Sequence, residues 1–161
     1  MSSPDITEAE RRAVADVLKT PNLSMGTRIL GFESAFRDYT GSKHAIGINS
    51  GTAGLHLCIR AAGIDQGDLV ITTPFSFVAS SNVILFERAV PVFVDIDPVT
   101  GNIDPALISE AVNDLVSSAE NRARWLPRSG ADNVNKLKAI LPVDVFGQPA
   151  DLDPIRAIAE D

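Results

Sequence analysis

The sequence is poor in cysteine, and this scarcity bears on the cellular setting of the protein. Cys58 is the single cysteine among 161 residues, so no internal disulfide can form. Proteins of oxidising compartments commonly rely on disulfides, and we therefore expect a reducing, cytoplasmic location. Cys58 stands between Leu57 and Ile59 in an apolar helical pattern, which predicts a buried structural thiol rather than a reactive one.

Basic residues and long apolar runs are also scarce. Lysine and arginine number 14 against 21 aspartates and glutamates, which gives a formal net charge of −7. A nucleic-acid partner would require a basic stripe, and none is present. No segment has the roughly 20 apolar residues that a membrane-spanning helix needs, and the start of the sequence lacks the pattern of a signal peptide. We therefore expect neither a nucleic-acid partner nor a membrane association.

What is present is the composition of an ordinary globular protein, with 45% apolar and 22% charged residues. Thr7 and Glu10 have the spacing of a capping box and open a helix that runs to about Lys19. A second amphipathic helix, RILGFESAFRDYT, ends at Gly41. These patterns predict an N-terminal helical segment over residues 1–40.

Over residues 41–161 apolar strands alternate with helices, which predicts a larger second domain. This alternation indicates an α/β fold with a mainly parallel sheet. Such sheets bind ligands at the carboxyl ends of their strands. The predicted strands are HAIGI, LVITT, PVFVDI and KAILPV, and the predicted helices are TAGLHLCIRAAG, one beginning near Ser76, PALISEAVNDLV and DPIRAIAE.

The turn between the first strand and its helix is a candidate anion site. Ser50 to Ala53 open the helix, and the free N–H groups of a helix start carry a partial positive charge that favours phosphate. Gly51 lets the backbone approach a ligand closely, and the Thr52 hydroxyl can add a hydrogen bond. An ordinary glycine turn with a serine cap is the alternative.

A polar stretch over residues 117–136 interrupts the alternation and predicts a long surface insertion. It holds Trp125, the single tryptophan, close to Arg122, Arg124 and Arg128. This group could bind an anionic ligand or a partner subunit. The alternative, which we favour, is a solvated insertion with one packed aromatic side chain.

Three weaker candidates are set aside. The segment DIDPVTGNID resembles a calcium loop only loosely, since its glycine is one place late and Ala106 stands where a bidentate glutamate is needed, so no metal is expected. His56 is predicted to be a packed helical residue. Asp144 and Gln148 flank the turn after KAILPV, and neither is predicted to be catalytic.

Four blocks in this order carry a family resemblance: SGTAGLHL, GDLVITTPFSFVAS, AVPVFVDIDPVTGNIDP and KAILPVDVFGQPADLDPI. The sequence resembles the DegT/DnrJ/EryC1/StrS family of sugar aminotransferases from about Asp5 to its last residue. These enzymes use pyridoxal 5′-phosphate (PLP) and have the fold type I, or aspartate aminotransferase, architecture. The resemblance therefore implies the N-terminal part of the large PLP-binding domain, with a truncated mixed, mostly parallel sheet.

The resemblance also implies a role for particular residues. The backbone at Thr52 and Ala53, with the Thr52 hydroxyl, would hold the cofactor phosphate, and Gly51 would allow its approach. Phe77, the second aromatic residue of PFSFVAS, matches the position whose ring stacks on the pyridine face. Gly26, in the loop LSMG, matches a segment that borders the substrate pocket.

The implied activity is transamination in polysaccharide or glycan biosynthesis. Glutamate or glutamine would donate nitrogen, a keto-sugar nucleotide would accept it, and the whole enzyme would be a homodimer.

Two catalytic residues of the family come after the block that DPIRAIAED matches. They are the Schiff-base lysine, which shuttles the proton, and the aspartate that pairs with the pyridine nitrogen, so Asp161 is not that aspartate. This chain by itself is therefore expected to be inactive. Its four lysines are expected to be solvated: Lys19, Lys43, Lys136 and Lys138.

A further expectation follows from the family fold. Its first strand, HAIGI here, is separated from the next three by strands from later in the sequence, so this chain alone would expose apolar strand edges.

Two alternatives to the aminotransferase also stay open. One is a sugar dehydratase of the same family, in which histidine replaces the Schiff-base lysine, and the other is a regulatory relative that binds ligand without turnover.

Overall fold

Helices and parallel strands alternate through most of the computed structural model, which describes residues 3–117, 119–128 and 133–160. The elements in chain order are α1 Glu8–Leu18, α2 Thr27–Thr40, α3 Gly51–Ala61, β1 Leu69–Thr72, α4 Ala79–Phe86, β2 Val90–Phe93, α5 Pro105–Ser117, α6 Ala119–Arg122, β3 Leu137–Leu141 and α7 Leu152–Glu160. A short 3-10 turn, Val145–Gly147, follows β3. No helix within the described ranges is long and apolar enough to cross a membrane.

The chain divides into two compact units, residues 1–49 and 50–161. In the first unit both predicted helices are confirmed. The Thr7 hydroxyl accepts the N–H of Ala9 at 3.2 Å, and the Glu10 carboxylate accepts the N–H of Thr7 at 2.7 Å, which completes the capping box. Helix α2 ends at Gly41 with φ of +70°, a left-handed conformation that suits glycine. The predicted division after residue 40 stays a prediction.

The prediction of a first strand at residues 44–48 is wrong for this structure. The segment pairs with none of the described strands. Its one described hydrogen bond is donated by the Gly47 N–H to Glu33 Oε1, at 2.8 Å. A strand is defined by hydrogen bonds to a neighbour. The apolar pattern is therefore present without the partner that would turn it into a strand.

The second unit is built around three parallel strands in the order β2-β1-β3. All four residues of β1 are fully buried, and their side chains alternate between two layers of helices. Leu69 and Ile71 pack with residues of α5 and α7, whereas Val70 packs with residues of α3 and α4. The described part thus confirms the predicted α/β fold with a parallel sheet.

The predicted burial of Cys58 is wrong, because the thiol is exposed. Successive side chains on a helix point about 100° apart, so burial of one residue turns its neighbours away from the core. In α3 the buried residue is Ile59, and Leu57 is 55% exposed. The apolar run contains the core-facing residue, but does not by itself identify it.

The insertion after α5 packs one aromatic side chain, that of Trp125, against α5. Trp125 Nε1 donates to Asp114 Oδ2 at 2.8 Å, and Arg124 lies over the indole ring, 4.6 Å from its centroid. Arg124 also pairs with Glu110 at 2.7 Å. These contacts favour the packed-aromatic interpretation. Residues 118 and 129–132 of the predicted insertion over 117–136 lie outside the described residues. Asp161, for which a position in the last helix is predicted, also lies outside them.

The acidic segment after β2 forms a turn rather than an open loop. Asp97 Oδ1 accepts the N–H groups of Val99 and Thr100 at 2.6 and 3.1 Å, and Asp104 Oδ1 accepts that of Ala106 at 2.8 Å. These carboxylates thus satisfy backbone donors of the turn and of the start of α5.

A polar cluster joins α3 to the C-terminal end of α4. His56 Nε2 lies 2.6 Å from Glu87 Oε1, and Arg60 Nη1 lies 3.2 Å from the same oxygen. The ring of Phe86 meets His56 edge to face at 5.3 Å. His56 is therefore a packed helical residue, as expected, and the hydrogen bond from His56 is the main reason that the pKa of Glu87 lies below its ordinary value of 4.5.

This cluster predicts a pH-dependent stability. A lowered carboxylate pKa stabilises the folded state above the ordinary pKa, and this contribution disappears as the pH falls through the lowered value. Glu87→Gln should therefore lower the melting temperature at pH 7, and the difference from wild type should shrink below about pH 4.5. Thermal melts at pH 7, 5 and 3.5 test this. Glu160→Gln, at the exposed end of α7, is the control, and a deficit in Glu87→Gln that is constant across pH would contradict the prediction.

Candidate active site

An open cleft of about 690 Å³ lies at the carboxyl ends of β1 and β3. Its wall combines the start of α3, the loop after β1, the start of α4 and the loop after β3. The parallel strands place both loops at the same edge of the sheet, as the sequence predicts for a ligand site. The lining residues are Gly51, Thr52, Leu55, Pro74, Phe75, Ser76, Phe77, Ala79, Ser80, Val143, Asp144, Val145 and Phe146.

The start of α3 presents two backbone donors for which the described residues provide no acceptor. Ser50 is extended, with φ of −161° and ψ of 155°, and its hydroxyl accepts the N–H of Ala53 at 3.1 Å. Its carbonyl accepts the N–H of Gly54 at 3.1 Å. Within the described ranges, the N–H groups of Gly51 and Thr52 have no hydrogen-bond acceptor. A helix start with free donors of this kind favours an anion.

Ala53 occupies a different position from its two neighbours. Its N–H group is already used by the serine cap, and its atoms are not part of the cleft wall. Both interpretations of this turn, the serine cap and the anion site, are therefore compatible, because each uses different N–H groups. Gly51 and Thr52 are the two predicted phosphate-binding residues that line the cleft.

Gly51 adjoins open space. Apart from its two chain neighbours and the backbone of its own helix, no described atom lies within 4 Å of a Cβ atom built on it, and its backbone is helical. Neither packing nor an unusual φ angle therefore requires glycine here. The open volume beside two free N–H groups is instead what a bound phosphate would need, so the residues present fit a phosphate-bearing cofactor.

Phe77 lies in a loop and not in a helix. The helix predicted from about Ser76 begins three residues later, at Ala79, so that prediction is corrected. The reason is local: the Thr73 hydroxyl accepts the N–H of Phe75 at 3.2 Å and forms a turn around Pro74. The ring of Phe77 is 78% exposed and lines the cleft, which leaves its face free for a planar ligand.

Two hydroxyl groups stabilise this loop. Ser76 Oγ and Ser80 Oγ are 2.7 Å apart, which connects the loop to the first turn of α4. Ser80 is buried and both residues line the cleft. The sequence reasoning missed them, although two hydroxyl residues at a spacing of four, on either side of a helix start, are a recognisable signal.

The sequence reasoning also missed an aromatic pair. Phe75 and Phe146 meet edge to face with centroids 6.1 Å apart, and both line the cleft. Phe146 is 95% exposed and has φ of +54°, a left-handed conformation that bulky residues seldom adopt. An aromatic residue before glycine, a few residues after a strand, was the available signal. Asp144, in the same turn, uses Oδ1 to accept the N–H of Ala150 at 2.9 Å.

The remaining predicted residues are not among those that line this cleft. Gly26 belongs to the first unit and caps α2, and a Cβ atom there would lie 2.8 Å from the carbonyl oxygen of Asn22, so glycine is required by this close approach. It lines a separate cleft of about 300 Å³ together with Met25 and Arg28. The four lysines are exposed, as predicted for solvated amines.

Known proteins resemble this chain over most of its length. A model of the DegT/DnrJ/EryC1/StrS aminotransferase family matches residues 4–161. The spore coat polysaccharide biosynthesis protein SpsC of Bacillus subtilis is 38% identical over 159 residues, which cover 99% of this chain and 36% of SpsC. GDP-perosamine synthase of Caulobacter vibrioides is 38% identical over 160 residues, which cover 99% of this chain and 38% of that enzyme.

Among solved structures, the PLP form of Spr1654 from Streptococcus pneumoniae is similar, with a TM-score of 0.76 and 29% identity over 96% of this chain and 34% of that one. The chain therefore spans little more than a third of the length of the relatives it matches. The family match extends over nearly all of the sequence and includes every block that forms the cleft. The chain belongs to the DegT/DnrJ/EryC1/StrS aminotransferase family.

Proposed function

We propose that the whole protein is a PLP-dependent aminotransferase and that this chain forms the phosphate-binding part of its active site. The observation that carries the proposal is the start of α3. Two N–H groups without described acceptors adjoin open space at Gly51, and the exposed ring of Phe77 lines the same cleft. A phosphate attached to a flat aromatic ring matches this combination.

Each residue contributes a distinct binding function. The N–H groups of Gly51 and Thr52 donate to the phosphate, and the half-buried Thr52 hydroxyl adds a side-chain donor. Ala53 contributes indirectly, because its hydrogen bond to Ser50 fixes the geometry of the helix start. Phe77 covers one face of the ring. Bound there, PLP would supply the electron sink that transamination requires.

The substrate proposal is a keto-sugar nucleotide with glutamate or glutamine as amino donor. It is supported by the names of two relatives, GDP-perosamine synthase and a polysaccharide biosynthesis protein, each 38% identical to this chain. Gly26 would border the sugar-nucleotide pocket. We further propose that the whole protein acts as a homodimer in the cytoplasm.

The activity is tested with the full-length protein, PLP, glutamate and a panel of keto-hexoses linked to nucleoside diphosphates. An aminotransferase should release one 2-oxoglutarate for each amino sugar formed, measured by mass spectrometry with ¹⁵N-glutamate. Dehydration of the sugar without transfer of ¹⁵N would favour the dehydratase alternative. PLP binding with turnover of no sugar and no glutamate would favour the regulatory alternative. Either result would contradict the aminotransferase proposal.

Gly51→Ala should weaken PLP binding in the full-length protein without destabilising the fold. The added methyl group meets open space in the chain, and alanine favours a helix over glycine by about 0.5–1 kcal/mol, so the melting temperature of the apoprotein should stay the same or rise. The same methyl group would occupy the proposed phosphate space. PLP titration followed by absorbance measures the dissociation constant.

Gly31→Ala is the matched control, because Gly31 is also an exposed helical glycine with open space at its Cβ position. It should gain comparable stability and leave PLP affinity unchanged. Equal PLP affinity in Gly51→Ala and Gly31→Ala would contradict the assignment of the phosphate to the start of α3.

Phe77→Ala should weaken PLP binding by about fivefold, the scale of a lost aromatic contact of about 1 kcal/mol. Because the ring is 78% exposed, its loss should leave the stability of the apoprotein almost unchanged. Phe77→Tyr keeps the ring face and should bind PLP like wild type. The stacking role would be wrong if Phe77→Ala and Phe77→Tyr had the same affinity.

A further inference from the structure

Asn102 is a buried polar residue outside the cleft whose side chain reaches the cleft wall. It is 3% exposed and lies after the turn that follows β2. Its Nδ2 donates to the carbonyl oxygens of Gln148 and Pro149 at 3.0 and 2.9 Å, and its Oδ1 accepts the N–H of Val145 at 3.1 Å. One amide group thus holds three backbone groups of the turn after β3.

The turn that Asn102 holds contains the strained residue Phe146. In the left-handed region, with φ of +54°, a Cβ atom crowds the neighbouring carbonyl oxygen. The Phe146 ring is almost fully exposed even though it meets Phe75, so burial of the ring does not compensate for this strain. A strained conformation persists when surrounding contacts over-determine it. Two backbone hydrogen bonds lie within the turn, from the N–H groups of Gly147 and Gln148 to the carbonyl oxygens of Asp144 and Val145. The contacts that tie the turn to residues outside it are the three hydrogen bonds of Asn102 and the one that Asp144 accepts from Ala150.

The same turn forms one wall of the cleft. Val143 to Phe146 line it, and Phe146 there meets the ring of Phe75 from the loop after β1. A change in the backbone at residues 145–149 would therefore move a wall of the cleft, although Asn102 itself is not part of the wall.

We propose that Asn102 is a positioning residue for ligand binding in the cleft. By holding the turn after β3 in its strained conformation, it fixes the cleft wall against which PLP binds. This inference rests on the proposed function, since it takes PLP as the ligand of the cleft. It assigns a role to a residue that does not touch the ligand.

The test compares PLP affinity of the full-length protein in four forms: wild type, Asn102→Ala, Asn102→Asp and Asn135→Ala. Asn135 is the matched control, because its Nδ2 also joins two distant loops, by donating to the carbonyl oxygen of Gln66 at 2.8 Å. Asn135 differs in position, since it precedes β3 and so lies at the end of the strand opposite to the cleft. Asn102→Asp keeps the acceptor for Val145 and replaces both donors by an oxygen, so it tests the two hydrogen bonds to Gln148 and Pro149 separately from the one to Val145.

Both Asn102 variants should bind PLP about tenfold or more weakly, the scale on which misplacing part of a site costs affinity. Asn135→Ala should stay within roughly twofold of wild type. Hydrogen exchange at the Val145 amide, measured on the apoprotein, should accelerate in Asn102→Ala and not in Asn135→Ala. Faster exchange at Val145 with unchanged PLP affinity would overturn the inference.

A second variant separates positioning from general loss of structure. Phe146→Asn should relieve the backbone strain, because asparagine accepts the left-handed region more readily, and should raise the melting temperature. In this background Asn102→Ala should lose less PLP affinity than in wild type, since the turn needs less support. Identical losses in both backgrounds would contradict the proposal. Failure of the wild-type protein to bind PLP would instead overturn the proposed function, and this inference with it.

Discussion

The central position of β1 is the constraint on which the candidate site depends. Its four residues are fully buried, and parallel pairing with β2 on one side and β3 on the other aligns the carboxyl ends of all three strands. The loops that carry Phe77 and Phe146 consequently leave the sheet at the same edge. Because side chains of β1 alternate between two helical layers, the same strand also determines where α3 and α4 pack.

The start of α3 shows how one turn can serve both folding and binding. Ser50 satisfies the N–H groups of Ala53 and Gly54, which stabilises the helix, whereas those of Gly51 and Thr52 have no acceptor in the described part of the chain. The cap and the anion site are therefore complementary features of the same turn. In the turn after β3, which forms another part of the cleft wall, Asn102 satisfies backbone groups in a similar way. Each of these two parts of the proposed site thus depends on a polar side chain that forms hydrogen bonds with the backbone.

Local sequence signals predicted the parts of the fold that local chemistry controls. The capping box at Thr7 and the glycine at Gly41 marked helix ends, because caps act within one helical turn. The predictions failed where a distant partner decides. Residues 44–48 have the pattern of a strand and pair with none of the described strands, and Cys58 has apolar neighbours but points away from the core. The start of α4 is an exception, because a local feature decides it: the turn that Thr73 forms around Pro74 delays the helix to Ala79.

The sequence by itself determined the alternation of strands and helices, the helix start at Ser50 and the family to which the chain belongs, since each is encoded in contiguous residues. The tertiary structure alone decided that Phe75 and Phe146 meet across the cleft and that Asn102 holds the turn after β3. Those contacts join residues more than 40 positions apart. Such pairings arise from the packing of parallel strands, and no local pattern records them.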